Sequence, residues 1–358
     1  RSKKINGPVL IHVVTKKGKG YKLAEENPDK FHGISAYDKE TGEVKKSKNY
    51  SKVFGEKLVK MASEDKRIVA VTAAMRDGTG LKEFAEKFPD RFFDVGIAEQ
   101  HALGLIAGMA RGGLKPVLPI YSSFLQRGYD QIIHDIALSG IPVTVCIDRA
   151  GIVGNDGETH QGIFDLSFLS SIPNIVIMAP KNFEELDKML EFGVNLDKPV
   201  FIRYPRGGEN FSFESTEDVE LGKAEIVQEG TDLSIIAIGN MVGRAEEVAS
   251  LLPEKSVEII NARFLKPLDE ETILNSIRKT GYCITIEDNL LKGGLGSAVV
   301  EAVNKSDIQD VKIKNFGYDD TFVEHGTVKE LEDKYGLSAE KISGKLFTFT
   351  EMWDIIYR

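Results

Sequence analysis

The sequence predicts an α/β protein made of two successive open-sheet α/β domains. Three observations predict it. Short apolar runs recur along the chain, amphipathic stretches of helical period separate them, and a polar, acidic stretch from Gly207 to Glu229 divides the series in two. The runs are apolar without strict alternation, as strands of a parallel sheet covered on both faces should be.

The elements follow in order. Pro8-Val-Leu-Ile-His-Val-Val14 has a buried-strand pattern with no preceding element to pair with, so the chain is expected to begin mid-fold. Lys16-Lys-Gly-Lys-Gly-Tyr21 and the aperiodic polar stretch from Glu25 to Asn49 suit a loop and linker, which puts a first boundary near residue 50. From there the pattern alternates: helix from Ser51 to Glu64, strand Arg67 to Val71, helix around Leu81 to Phe88, strand Arg91 to Val95 and a small-residue helix from Ala98 to Arg111. Strand Lys115 to Ile120, helix Ser122 to Leu138, strand Pro142 to Ile147, strand Asn174 to Met178, helix Asn182 to Leu196 and strand Pro199 to Tyr204 complete the first domain. Four strands are expected in the second, at Leu233 to Gly239, Ser256 to Ile260, Tyr282 to Glu287 and Val311 to Phe316. Helices near Gly243 to Leu252, Asp269 to Lys279 and Gly294 to Asn304 lie between them. The expected divisions are 1–49, 50–212 and 213–358.

Composition removes several function classes. A length of 358 residues allows more than one core, and a net charge of -9 with a pI near 5.4 argues against general attraction to nucleic acid or to anionic membranes. No apolar run approaches the roughly 20 residues of a membrane span. The two cysteines, Cys146 and Cys283, each sit inside an apolar strand pattern, so they read as buried thiols, and a cytoplasmic setting is expected. There is no phosphate-binding Gly-Lys-Ser/Thr loop, no His-Glu-x-x-His and no Cys-x-x-Cys. Gly293-Gly-Leu-Gly296 resembles a dinucleotide turn only loosely and suits close helix–strand packing equally well.

The chemistry-bearing residues collect after the first domain's strands. In open α/β sheets ligands bind outside the carboxyl ends of the strands. Glu99, in Asp94-Val-Gly-Ile-Ala-Glu-Gln-His101, stands there at the mouth of a helix, although an acid in a first helical turn also complements the helix dipole. Tyr121, Phe124 and Arg127 follow another strand. Asp148-Arg-Ala-Gly-Ile-Val-Gly-Asn-Asp-Gly-Glu-Thr-His-Gln-Gly162 follows the next and holds four glycines, so its backbone can approach a ligand closely. Ordinary alternatives stand beside each residue: a salt bridge from Arg149 to Asp148 or Asp156, a capping or core role for His160, a core position for Phe124. Arg149 and Arg206, at neighbouring strand ends, can form a fork for a phosphate or carboxylate, which suggests a small anionic substrate.

Thr15-Lys-Lys-Gly-Lys-Gly-Tyr21 with Phe31-His-Gly33, Val95-Gly-Ile-Ala-Glu-Gln-His-Ala102, Tyr121-Ser-Ser-Phe-Leu-Gln-Arg-Gly-Tyr-Asp-Gln131, Asp148 to Gly162 and Tyr204-Pro-Arg-Gly207 occur in one order along the chain. Together they resemble the 1-deoxy-D-xylulose-5-phosphate synthase family, thiamine-diphosphate enzymes of the transketolase superfamily. The resemblance covers almost the whole chain. It implies a pyrimidine-binding domain at 50–212, a transketolase C-terminal domain at 213–358, and, in residues 1–49, the remnant of a diphosphate-binding domain. Most of that domain, with its Gly-Asp-Gly motif and the ligands for magnesium, is absent from the sequence, so a truncated, cleaved or split enzyme is expected.

The resemblance also implies roles. Glu99 would hydrogen-bond a ring nitrogen of the thiamine diphosphate aminopyrimidine and so help activate the thiazolium carbon. Phe124 would stack on the pyrimidine, with Arg127 bracing the pocket. Tyr121, Arg149 and Arg206 would receive the phosphate of glyceraldehyde 3-phosphate, Asp156 and His160 would lie near the reacting carbonyls, and Lys17 and His32 would reach the cofactor or the pyruvate side. Pyruvate would lose carbon dioxide and the two remaining carbons would join the aldehyde, giving 1-deoxy-D-xylulose 5-phosphate, a precursor of isoprenoids and thiamine. No metal ligand is expected in this chain, a homodimer is implied, and an N-terminal fragment of the same enzyme is a further expected partner. The beta subunit of a 2-oxoacid dehydrogenase, a split transketolase, and a catalytically silent dimerisation or binding module stay open as alternatives.

Overall fold

Why the apolar runs become strands is visible in their burial: each of the five residues of β1 (Ile68–Thr72) and of β4 (Thr144–Asp148) is buried, which requires cover on both faces. A computed structural model describes residues 2–28, 31, 37–43, 48–209, 211 and 218–346. The chain divides into two compact units, 1–47 and 48–358.

The smaller unit holds a short helix at Lys22–Glu26 and an aromatic group in which the rings of Tyr21 and Phe31 lie 5.4 Å apart and those of Phe31 and Tyr37 5.2 Å apart. The strand expected at 8–14 is not formed. These residues are irregular and exposed, Leu10 by 94% and Val14 by 82%, because within the described residues no neighbouring strand accepts their backbone bonds.

In the larger unit, β2 (Phe92–Asp94), β3 (Lys115–Tyr121), β5 (Val176–Met178) and β6 (Val200–Arg203) join β1 and β4. The second series runs β7 (Glu225–Gln228), β8 (Leu233–Ala237), β9 (Val257–Asn261), β10 (Phe264–Lys266), β11 (Tyr282–Leu290) and β12 (Lys312–Tyr318). The first sheet has seven strands in the order β10-β5-β6-β4-β3-β1-β2, the second five in the order β12-β11-β8-β9-β7. Pairing is parallel except at β10–β5 and β7–β9. Two successive α/β sheets are thus present, as expected, with β7 and β10 as additions. β10 lies in the C-terminal half of the chain yet extends the first sheet.

Helices Tyr50–Glu64 and Phe183–Asn195 cover one face of the first sheet, each started by an asparagine side chain that accepts a first-turn N–H, Asn49 from Lys52 and Asn182 from Glu185. Glu99–Arg111 packs on the other face, through Ala102, Leu103 and Ile106. The helix expected over 122–138 is helical but irregular: a turn at Ser122–Leu125, a 3-10 turn at Gln126–Gly128, a short turn at Tyr129–Gln131 and a wide π turn at Ile132–Ala137. In the second sheet, Met241–Ser250, Glu270–Thr280 and Leu295–Lys305 are the covering helices.

Candidate active site

Parallel strands point their carboxyl ends the same way, and the sheet order sets β6, β4, β3, β1 and β2 side by side. Register aligns their ends: Ile147 pairs with Arg203, Tyr121 with Asp148, and Thr72 with Asp94. The segments that leave these ends therefore emerge in one row, and all but two of the residues singled out from the sequence lie on them.

Glu99 follows β2. Asp94 Oδ1 accepts the amides of Ala74 and Gly96, both at 2.9 Å, and this turn delivers Glu99 as the first residue of its helix, 2% exposed. A buried carboxylate needs a partner. It is Arg127, whose Nη1 donates to Glu99 Oε1. Arg127 reaches it because Gly128 lies against Leu103 of the Glu99 helix: a Cβ on Gly128 would sit 2.0 Å from Leu103 Cδ1. Arg127 is thus the ion-pair partner of the acid. Its guanidinium also lies 4.9 Å from the Phe124 ring centroid.

Phe124, partly buried, stands between Tyr121 (centroids 5.6 Å apart) and His160 (5.5 Å, edge to face). His160 Nδ1 is 2.9 Å from Thr159 Oγ1. A buried carboxylate and an aromatic face bridged by one guanidinium suit a flat ring with a protonatable nitrogen, so these residues fit the pyrimidine of thiamine diphosphate.

The second cluster is cationic. Arg149 follows β4 with φ of 59°, a left-handed conformation costly for a residue with a side chain. Its guanidinium lies 3.8 Å from the Tyr121 ring centroid, and Nη1 donates to Asp156 Oδ2 at 2.9 Å. Arg206 Nη1 meets Asp156 Oδ1 at 2.5 Å. Two arginines from neighbouring strand ends thus converge on one carboxylate. The Arg149–Asp156 salt bridge read as the ordinary alternative is present, and it is what draws the fork together. Behind it, Asp148 is fully buried. Burial pushes its carboxyl up to about 6, against the Ser51 hydroxyl that donates to Oδ2 at 2.6 Å and the Arg149 and Arg206 charges.

Lys17 sits in an exposed turn of the smaller unit, and His32 lies outside the described residues. Among the described residues no group of three or more His, Cys, Asp or Glu is placed to hold a metal ion, and no helix is long and apolar enough to cross a membrane. Sequence reasoning missed Asp148, Ser51 and the Arg127–Glu99 bond. Only the position of Asp148 at a strand end offered a signal.

The transketolase pyrimidine-binding domain family matches residues 46–209, and the transketolase C-terminal domain family matches 222–342. The chain is 53% identical over 346 residues to a 1-deoxy-D-xylulose-5-phosphate synthase of Halothermothrix orenii, 94% of this chain and 54% of that protein. It is 52% identical over 352 residues to one of Clostridium perfringens, 96% of this chain and 56% of that protein. The chain therefore spans about half the length of the curated relatives it matches. Among solved structures, a split-gene transketolase described as an inactive beta4 tetramer aligns with a TM-score of 0.76 at 30% identity, over 83% of this chain and 97% of that one. A transketolase from Campylobacter jejuni shares the fold, with a TM-score of 0.68 at 19% identity over 84% of this chain and 46% of that one. With both domain families matched in succession, and a split-gene relative matched over nearly its whole length, the chain belongs to the transketolase family.

Proposed function

We propose that this chain carries the pyrimidine-binding and aldehyde-phosphate-binding residues of a 1-deoxy-D-xylulose-5-phosphate synthase, in its 50–212 domain, with 213–358 as the transketolase C-terminal domain. The reaction is the decarboxylative joining of pyruvate to glyceraldehyde 3-phosphate. The observation that carries the reading is the Arg149–Asp156–Arg206 cluster beside the Phe124–His160 pair. A phosphate dianion can replace the Asp156 carboxylate between the two guanidiniums, with bidentate bonds from each. Tyr121 holds the Arg149 guanidinium against its ring, and Asp156 and His160 face the carbonyl end of the same substrate.

Thiamine diphosphate, when bound, supplies a nucleophilic carbon and takes up the electron pair released as carbon dioxide leaves. Glu99 holds a proton against a pyrimidine nitrogen, in a place from which water is largely excluded. Phe124 stacks on the ring and fixes its plane, and Arg127 orients the Glu99 carboxylate. Lys17 and His32 are assigned to the cofactor or pyruvate side. Magnesium ligands and the diphosphate site are assigned to a segment outside these residues, from an N-terminal fragment, and the assembly to a homodimer. A cytoplasmic location accords with two buried, unpaired cysteines.

The test is product formation from pyruvate and glyceraldehyde 3-phosphate with thiamine diphosphate and magnesium, by the chain alone and with the N-terminal half of the Halothermothrix orenii relative added. Deoxyxylulose phosphate that disappears in Glu99→Ala supports the reading. Silence in both mixtures defeats it. A second reading, the partner of a split transketolase, rests on the 97% coverage of the split-gene structure. Turnover of a ketose phosphate donor with no turnover of pyruvate would favour it.

A further inference from the structure

The loop that carries Arg149, Asp156 and His160 leaves β4 and returns through a narrow neck. At the neck, Gly151 and Gly162 exchange both backbone bonds, each at 2.7 Å. Each glycine is pressed from outside. A Cβ on Gly162 would stand 2.8 Å from Ser122 Cβ, and one on Gly151 would stand 1.7 Å from Asp288 Oδ2. Asp288 belongs to β11, in the second sheet, and is 2% exposed. Both its carboxylate oxygens lie 3.3 Å from the amide of Ile152, the next residue along the loop.

Asp288 is itself held. Its carbonyl accepts Arg203 Nη2 at 3.1 Å, and the same guanidinium donates Nε to Asp165 Oδ1 at 3.1 Å. Asp165 Oδ2 accepts the Ser122 hydroxyl, also at 3.1 Å, at the start of the turn that bears Phe124. On the returning limb, Gln161 accepts the Val153 amide at 2.8 Å and donates to the Glu324 carbonyl at 2.9 Å. The neck is thus gripped from the second sheet, three residues from Arg149, whose left-handed backbone would not be kept without restraint.

We propose that Asp288 is a positioning residue for the phosphate site: through Ile152 and the Gly151–Gly162 neck it holds Arg149, Asp156 and His160 in register with Arg206. This rests on reading the arginine pair as the site of the aldehyde phosphate. It gives the C-terminal domain a part in acceptor binding. A carboxamide can still accept the Ile152 amide, whereas a methyl group cannot.

The test titrates D-glyceraldehyde 3-phosphate into the full chain by calorimetry, for the wild type, Asp288→Asn and Asp288→Ala, and follows amide exchange at Ile152 and Val153. Asp288→Ala is expected to weaken binding about tenfold or more and to speed exchange at Ile152, while Asp288→Asn stays within about threefold of the wild type. Wild-type affinity in Asp288→Ala, whatever its exchange or melting temperature, overturns the proposal. If the wild type itself binds no aldehyde phosphate, the assignment of the arginine pair fails first and this proposal falls with it. Should Asp288→Ala not fold, Asp288→Val, which fills a similar volume and offers no acceptor to Ile152, takes its place with the same expected loss.

Discussion

Arg149 and Arg206 share a carboxylate, so removing either leaves the other still paired with Asp156. For that reason Arg149→Ala and Arg206→Ala should leave the fold intact and act on the anion. Each should raise KM for glyceraldehyde 3-phosphate about tenfold or more, as loss of a charge-assisted bond does, while KM for pyruvate stays level in steady-state assays. Glu99→Gln keeps the shape of the side chain and removes its ability to hold the proton, so kcat should fall by about a hundredfold or more with the melting temperature little changed. Glu99, Tyr121, Arg149 and Arg206 were legible because each stands at or just past a strand end, a position read directly from the alternation of runs. The Arg127–Glu99 bond was not. The partners are 28 residues apart, and whether they meet depends on how closely Gly128 lets two helical segments approach. Asp288 carried no signal either, since an acid inside an apolar strand declares a buried contact without naming it.

Leu295–Lys305 begins on a buried acid from within β11. Glu287 accepts the amides of Leu295 and Gly296, both at 2.8 Å. Burial nonetheless wins over these bonds and pushes its carboxyl up to about 8. The folded form therefore keeps a proton that the unfolded chain gives up near pH 4.5, so the stability it contributes is complete below that pH and is lost as pH rises through about 8. Glu287→Gln cannot titrate, and its melting temperature relative to the wild type should rise between pH 5 and pH 8.5. A flat difference across that range would show that Glu287 stays ionised. Elements were legible where they are long and periodic, as in Tyr50–Glu64 and Phe183–Asn195. They were not where they are short: β10 has three residues and β7 four, too few to establish a period. The 8–14 run misled because an apolar pattern shows what a segment can pair with and says nothing about whether a partner is there.

Between the two sheets lies a buried ionic cluster. Arg263 Nε meets Glu185 Oε1 at 2.7 Å, Lys181 Nζ meets Glu225 Oε2 at 2.6 Å, and Asn261 Nδ2 donates to both acids. Glu185 is fully buried and Arg263 is 1% exposed. Arg263→Met would strand Glu185 in that interior and should cost about 3–5 kcal/mol, read as a lower melting temperature by calorimetry. Because β10 lends its edge to β5, residues 48–346 should unfold in one transition, detected as coincident loss of helix and of tertiary signals. The two-sheet plan was legible from the alternation and the acidic divider, but this exchange was not, since no local pattern reveals which sheet a three-residue strand joins. It bears on inheritance. A recombination event near residue 213 would hand the first sheet an edge grown for someone else, so paralogues that trade halves there must trade Phe264–Lys266 in the opposite direction or carry an uncovered β5 into the cell.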